Sequence, residues 1–526
     1  MRARDQVKSG TNFLSVPKVP ISKAVCKLPR MEALFVQIEA SLASTRAGFG
    51  LILPEMVLAG TVLVLVIGAA VDKKGRWLPW ISLTGIMLSS VALISTPGFN
   101  GMAWGGMVMI DQIGYWARGI LLFVGFVTIL WIGRDPAAEF RSEAFAMLVT
   151  LLLGTLFMSI AANLLFMYLS IELVSISSYL LTVHRRDYRA AAEASLKYII
   201  FGAFSSALML YGISWIYGLT GGLNLDTAAI DALNTQPVEV HLLVLGLMLA
   251  GIMFKIAAVP MHFWAPDIYQ GATFPVATYF SIVPKAGGLL MLVHLLELTE
   301  GLHSYEQLQV VILALALASM TLGNLAALWQ NDLKRLLAYS SIAQSGFMLI
   351  ASAARTETGE AAVLFYLTIY TLMNLSVFII AAGLARVAQS DDLRKLDGLA
   401  VRFPIATIAI TIGLVALVGL PPTSGFIAKW YVLMSGIGQT EGAYATFWVT
   451  TLALAVVNTV ISLFYYLRIP ARMVLRTALA EAKGQPMPRW VWLGIVMAIP
   501  TLVLGIMGFD EIMNLIQLGL WNPATN

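Results

Sequence analysis

Along most of its length the chain repeats one pattern: a long apolar stretch, a short polar interruption, then another apolar stretch. A helix needs roughly 20 consecutive apolar residues to cross the hydrocarbon core of a bilayer, and period and length together argue helix here. Fourteen such stretches can be drawn, at approximately 49–71, 77–95, 113–133, 143–162, 164–183, 190–217, 241–260, 275–298, 308–328, 336–354, 361–386, 404–436, 446–468 and 490–508. They predict an all-α polytopic membrane protein with about fourteen transmembrane helices.

Composition agrees with the pattern. The 526 residues are 59% hydrophobic and 12% charged, against about 25% charged in soluble domains, which excludes a soluble enzyme. The single cysteine, Cys26, excludes a disulfide framework, a four-cysteine iron–sulfur site and a cysteine-rich zinc site. No GxGxxG follows a strand pattern and there is no GxxxxGK[ST], so nucleotide chemistry is expected in other chains. No metal site and no cofactor are expected on this one.

The net charge of +4 would suggest a basic protein, but lysine and arginine gather in alternate loops. One set holds Lys73, Lys74, Arg76, Arg134, Arg141, Arg185, Arg186, Arg189, Lys334, Arg335, Arg386, Arg394, Lys395, Arg402, Arg468, Arg472, Arg476, Lys483 and Arg489. The opposite loops hold Arg355 alone after the first span. Cytoplasmic loops keep positive charge, so this asymmetry orients the chain with both termini outside and points to lipid, with no nucleic acid partner. Residues 1–46 disagree, being polar and basic on the side that should lack such charge. They lack the apolar run of a secretory signal. The expectation is that Met31 is the natural start; a disordered basic tail is the alternative.

Five basic residues fall inside the stretches: Arg118, Lys197, Lys255, Lys285 and Lys429. Arg118 lies near a span end, where its side chain is expected to snorkel to water. The others lie deeper, where a lysine costs roughly 2.5–3.5 kcal/mol on insertion scales. Each needs a partner, water or a function. Glu172 is the matching acid. It and Lys197 flank the loop 184–189 at depths of about 18 and 12 Å, a difference a lysine stem can bridge. Burial favours the neutral forms of such groups and a close opposite charge favours the charged ones, so the pair is expected to be switchable. A static ion pair fixing helix register is the alternative, although such pairs stabilise poorly.

Lys255 precedes the run Pro260–Met261–His262–Phe263–Trp264–Ala265–Pro266–Asp267, whose two prolines and polar groups predict a broken helix facing a hydrated cavity. Gly419–Leu420–Pro421–Pro422–Thr423–Ser424–Gly425 interrupts the twelfth stretch just before Lys429 in the same way. Lys285 follows Pro284 and precedes Gly287 and Gly288. His262 could relay protons, its ordinary pKa lying near 6.5; a core histidine bonded to backbone is the alternative. His294, one turn from the outer end, reads as structural.

The breaks fall in the seventh and twelfth stretches, five apart. A tandem duplication of five helices must insert its second copy upside down, the inverted-repeat architecture of transporters with midplane sites. Stretches four to eight and nine to thirteen are the expected units. The organisation is then a basic extension (1–46), three N-terminal helices (47–142), a first five-helix repeat (143–298), a second, inverted one (308–468), and a loop with the last helix (469–526).

Three runs carry a resemblance: Pro260–Met261–His262–Phe263–Trp264–Ala265–Pro266–Asp267–Ile268–Tyr269–Gln270–Gly271–Ala272, Lys334–Arg335–Leu336–Leu337–Ala338–Tyr339–Ser340–Ser341–Ile342–Ala343, and Gly419–Leu420–Pro421–Pro422–Thr423–Ser424–Gly425–Phe426. Over about residues 49–508 the chain resembles the antiporter-like membrane subunits of respiratory complex I. Leu53–Pro54–Glu55 and the lysine at 429 bring it closest to the subunit N branch, counterpart of mitochondrial subunit 2. The resemblance implies a proton-translocating subunit of an NADH–quinone oxidoreductase in a bacterial inner membrane, an enzyme only as part of that translocase. Its partners would be other membrane-arm subunits, with quinone, FMN and iron–sulfur clusters in other chains. The family's key glutamate matches Glu172, and its lysines match Lys197, Lys255, Lys285 and Lys429. Gln344 stands where many members have histidine, so that relay position is expected to work through water or not at all.

Two rivals remain. A subunit of a multi-subunit cation/proton antiporter shares these motifs; sodium dependence would mark it. A scaffold subunit that transports nothing would tolerate replacement of Glu172 or Lys255.

Overall fold

The structure is a computed structural model describing residues 48–71, 75–96, 101–135, 140–183, 189–354, 356–439, 443–477 and 486–507. The N-terminal extension, the end of the chain, and Lys73, Lys74, Arg185, Arg186, Arg355 and Lys483 of the orienting loops lie outside the described residues.

Among the described residues are seventeen α-helices and one small antiparallel hairpin. Helices α1 (Leu53–Val71) and α2 (Leu78–Ser95) lead to the hairpin of β1 (Gly101–Ala103) and β2 (Val108–Ile110), then to α3 (Gln112–Arg134). Next come α4 (Ser142–Met158), α5 (Leu164–Thr182), α6 (Arg189–Thr220), the short α7 (Thr227–Asn234), α8 (Val238–Ile256), α9 (Trp264–Gly271) and α10 (Phe274–Leu298). The chain continues with α11 (Tyr305–Leu328), α12 (Leu333–Ala354), α13 (Glu357–Ala388), α14 (Pro404–Val418), α15 (Ser424–Ile437), α16 (Ala445–Leu475) and α17 (Val491–Met507). Among the described residues eleven continuous helices are long and apolar enough to cross a membrane; α4, α14 and α17 are apolar but shorter. The protein is a polytopic, all-helical membrane fold.

Helix ends follow from local chemistry. Asp111 caps α3 by accepting from Gly114, and Asn163 caps α5 by accepting from Leu165 and Phe166, satisfying donors that the first turn leaves open. Both expected breaks are present. α8 stops at Ala257, whose φ of 58° is left-handed, and α14 stops at Gly419, φ 82°. Glycine adopts that conformation freely, whereas alanine does so at a cost, so the break after Ile256 depends on its surroundings. The freed carbonyls find donors: Trp264 Nε1 reaches Phe254 O at 2.9 Å and Ser345 Oγ reaches Ile256 O at 2.9 Å. At the second break Gln344 donates to Leu417 O and Lys429 to Val418 O, both at 2.9 Å.

Packing sets what is central. The apolar window of α10 is wholly buried, and those of α12 and α13 nearly so, whereas α1, α6 and α16 turn much of their apolar surface outward. An apolar exterior is what lipid solvates, and polar groups must be satisfied inside. Small residues let the inner helices meet: a Cβ on Gly346 of α12 would lie 2.5 Å from Ala316 O of α11.

Candidate functional site

Buried ionisable and hydroxyl groups run across the bundle between the two breaks. Lys255, the penultimate residue of α8, is fully buried, and its ammonium has no hydrogen-bond partner among the described residues. Its Nζ lies 5.4 Å from the ring centre of Phe254. The charge whose field acts on it is Glu172 on α5, whose Oε1 is likewise buried without a partner among the described residues. No hydrogen bond among the described residues locks either group in place.

This corrects the pairing expected from sequence. Lys197 does not meet Glu172. Its side chain is 44% exposed on α6 and binds Glu193 at 2.9 Å and Asp267 at 3.0 Å. The reason is rotational: Glu193 sits one turn before Lys197 on the same face, and α9 brings Asp267 alongside. Asp267 also takes Arg335 at 2.7 Å, so it ties α9 to both α6 and α12.

Lys285, at the centre of α10, donates to Ser341 O at 2.6 Å and Ser345 Oγ at 2.8 Å, both on α12. Ser341 Oγ meets the hydroxyls of Tyr269 at 3.3 Å and Tyr370 at 3.2 Å. Gln344, on the same stretch of α12, donates to Tyr466 OH at 3.0 Å and accepts from Tyr366 OH. Tyr466 also meets Ser340 Oγ at 2.5 Å. Lys429, on α15 beyond the second break, is buried with Nζ 4.3 Å from the ring centre of Phe347. Of the three buried lysines, Lys285 binds the polar groups of α12 directly, whereas Lys429 donates to Val418 O at the second break and Lys255 makes no hydrogen bond among the described residues. His262 lies in the first break, 4% exposed, its Nδ1 without a partner among the described residues. It makes no hydrogen bond to any of the three lysines among the described residues.

Sequence reasoning missed the hydroxyl lining. Ser341 with Ser345, and Tyr366 with Tyr370, are i,i+4 pairs that stack polar groups on one helical face, a signal present in the chain. Gln344 holds tyrosine hydroxyls rather than an empty relay position. Arg118 was expected to reach water, but it is fully buried and donates to Glu55 Oε1 at 3.4 Å, Leu51 O at 3.2 Å and Gly114 O at 3.3 Å. A burial shared with a carboxylate and two carbonyls replaces snorkelling. Among the described residues no group of three or more histidine, cysteine or acidic side chains could hold a metal ion.

Comparison with known proteins gives a consistent picture. A family model described as NADH:quinone oxidoreductase/Mrp antiporter, transmembrane, matches residues 161–461. Subunit 2 of the NAD(P)H-quinone oxidoreductase of Gloeothece citriformis is 35% identical over 498 residues, covering 93% of this chain and 95% of that relative. Subunit N 2 of the NADH-quinone oxidoreductase of Sorangium cellulosum is 36% identical over 485 residues, covering 86% of this chain and 94% of the relative. A chain from the structure of respiratory complex I of Thermus thermophilus superposes with a TM-score of 0.70 at 28% identity, covering 88% of this chain and 98% of that one.

Proposed function

Because the chain belongs to the NADH:quinone oxidoreductase/Mrp antiporter transmembrane family, we propose that it is a proton-translocating membrane-arm subunit of a complex I type quinone oxidoreductase. It acts as part of that translocase with other membrane-arm subunits, in a bacterial inner membrane with both termini outside. Quinone, FMN and iron–sulfur clusters belong to other chains, and this one moves protons.

The observation that carries the reading is the row of polar groups along α12: Ser341 and Ser345 hold Lys285, and beside them Gln344 holds Tyr366, Tyr466 and Leu417 O, next to the Val418 carbonyl that takes Lys429. Three buried lysines in one bundle are a poor choice for stability alone and a good one for proton transfer. Glu172 holds the proton on Lys255 while its carboxylate is near. Movement of that carboxylate, driven by quinone reduction elsewhere, releases the proton toward Lys285 and on to Lys429. Gln344 does not titrate; it orients the two tyrosine hydroxyls, which both donate and accept. Lys197 belongs to the Asp267 latch and sets the position of α9, and His262 is a proton acceptor at the break.

Counting α8 with α9 and α14 with α15 as single interrupted crossings, and α7 as a surface helix, gives fourteen crossings. Three N-terminal helices precede two inverted five-helix repeats, and α17 closes the chain. The breaks support the repeat, because each falls at the fourth member of its unit. The family description also covers cation/proton antiporters, but relatives matching nearly end to end are quinone oxidoreductase subunits.

The test is proton pumping by the whole complex in sealed vesicles, with Lys255→Ala and Glu172→Ala at matched assembly. Quinone reduction and pumping are expected to fall together. Unchanged pumping per electron would make this chain a scaffold, and sodium-dependent transport without quinone-enzyme partners would make it an antiporter subunit.

A further inference from the structure

A cavity of about 520 Å³ lies on the basic-loop side of the bundle, where α3 and α13 end, α10 and α12 begin, and Trp490 leads into α17. Sites for small molecules commonly enclose roughly 300–1,000 Å³. Three residues lining this one carry a polar atom that the protein leaves unmet. Trp131 Nε1 and Trp490 Nε1 are buried with no acceptor among the described residues, in side chains 1% and 4% exposed whose ring centres stand 5.3 Å apart. Thr273 Oγ1 is the third. An indole N–H can only donate, and a buried donor left unmet is costly. Two such donors side by side point to an acceptor that the chain does not itself supply.

Thr273 also stands at the start of α10, and its hydroxyl caps no N–H of the first turn. A helix leaves those donors open at its beginning, and they favour negative charge there. The charged side chains are balanced. Lys334 binds Asp391 Oδ2 at 3.1 Å and gives its other protons to Gln270 O and Ala272 O. Arg386 gives Nη1 to Asp135 Oδ1 at 2.5 Å, one of the five N–H groups a guanidinium carries. Two cations and two carboxylates thus line one cavity. A simple anion would face both carboxylates, and a simple cation would face both basic groups. A group carrying both charges avoids either conflict.

We infer that this cavity binds the phosphoethanolamine head of a zwitterionic phospholipid. The phosphate oxygens accept from the two indoles, from Thr273 and from the remaining N–H groups of Arg386. The ammonium donates to lone pairs that Asp135 and Asp391 keep, which a quaternary amine has no N–H to do. Phe140, Phe274, Pro275, Ala382 and Ala385 offer apolar wall to the glycerol and first acyl carbons. Tryptophan together with lysine and arginine at span ends is the signature of headgroup depth. Bound there, the lipid joins the start of α10, which carries Lys285, to the ends of α3 and α13. The inference stands apart from the proton-translocating reading and survives if that reading fails.

The experiment uses the intact complex, stripped of lipid in detergent and then given a photoactivatable phosphatidylethanolamine with its reactive group beside the glycerol. Mass spectrometry maps the labelled peptides, which are expected at the ends of α3 and α13 and the start of α10. Unlabelled phosphatidylethanolamine should displace the probe there, and phosphatidylcholine, phosphatidylglycerol and inorganic phosphate should do so much less well. Trp131→Phe and Trp490→Phe keep the rings and remove one N–H each, and each should lower labelling at this cavity by about fivefold. Absence of label from these helix ends in wild type overturns the inference, leaving the cavity to water. So does full labelling in an assembled Trp131→Phe/Trp490→Phe double variant. Equal displacement by inorganic phosphate or phosphatidylglycerol overturns the zwitterionic head in favour of a plain anion. Should the variants fail to assemble, wild-type mapping and competition still decide.

Discussion

Lys285 gives its ammonium to Ser345 Oγ at 2.8 Å, and the same hydroxyl donates to Ile256 O, the last carbonyl of α8. One serine therefore joins a buried lysine to the broken end of the helix that carries another. Ser345→Ala removes an acceptor and leaves that carbonyl without its donor, a loss of about 1–3 kcal/mol for a buried polar group. The expected result is a lower thermal midpoint of the detergent-solubilised complex together with slowed pumping. An unchanged midpoint would mean that water replaces the hydroxyl.

Gln344 lies between the hydroxyls of Tyr366 and Tyr466. Gln344→Leu strands the Tyr366 hydroxyl and Leu417 O and leaves Tyr466 with Ser340 Oγ, and it should abolish pumping. Gln344→His restores a donor and an acceptor at similar spacing and should pump. Equal activity in the two variants would remove the amide from the path.

Arg118 and Glu55 are both fully buried. Arg118→Leu leaves Glu55 uncompensated and is expected to destabilise by about 3–5 kcal/mol, whereas Arg118→Met combined with Glu55→Gln should recover most of that. Thermal unfolding of the two variants measures the difference. Equal losses would mean that Glu55 is not carrying a charge there.

At the Asp267 latch, Lys197→Ala removes a half-exposed partner whose attraction water screens, and it should change stability little. Asp267→Ala releases Lys197 and Arg335 together and frees α9 from two helices. It is expected to reduce pumping several times more than Lys197→Ala. The reverse order would show that Lys197 acts in proton transfer itself.

Asp332, in the loop before α12, has its carboxyl held above the ordinary value by burial, with Asp391 nearby adding to the effect. A raised carboxyl pKa costs stability as pH rises through the unfolded value toward the folded one, and costs nothing below both. Asp332→Asn keeps an oxygen to cap Arg335 N, a contact of 2.9 Å in the native loop. The variant should be more stable than wild type at neutral pH and equal to it in acid. A constant gap across that range would assign the effect to the lost hydrogen bond from Gln270.

The sequence by itself determined the membrane class, most helix positions, the two breaks and three of the four lysines expected at depth, Lys255, Lys285 and Lys429, whereas Lys197 is half exposed. These depend on one-dimensional quantities: the length of an apolar run, the missing N–H of proline, and the cost of a charge far from water. Pairing was different. Each residue turns a helix by about 100°, so what Glu172 faces depends on how α5 is rotated against α6 and α8, which only packing decides. The structure therefore turned Lys197 to Asp267 and left Glu172 acting on Lys255. Arg118 was misread for the same reason, because closeness to a span end says nothing about a carboxylate sixty-three residues earlier that packs beside it. Tyr466 reaches Gln344 across one hundred and twenty-two residues. Hydrogen bonds of that range are made by tertiary packing, and no local pattern in the chain encodes them.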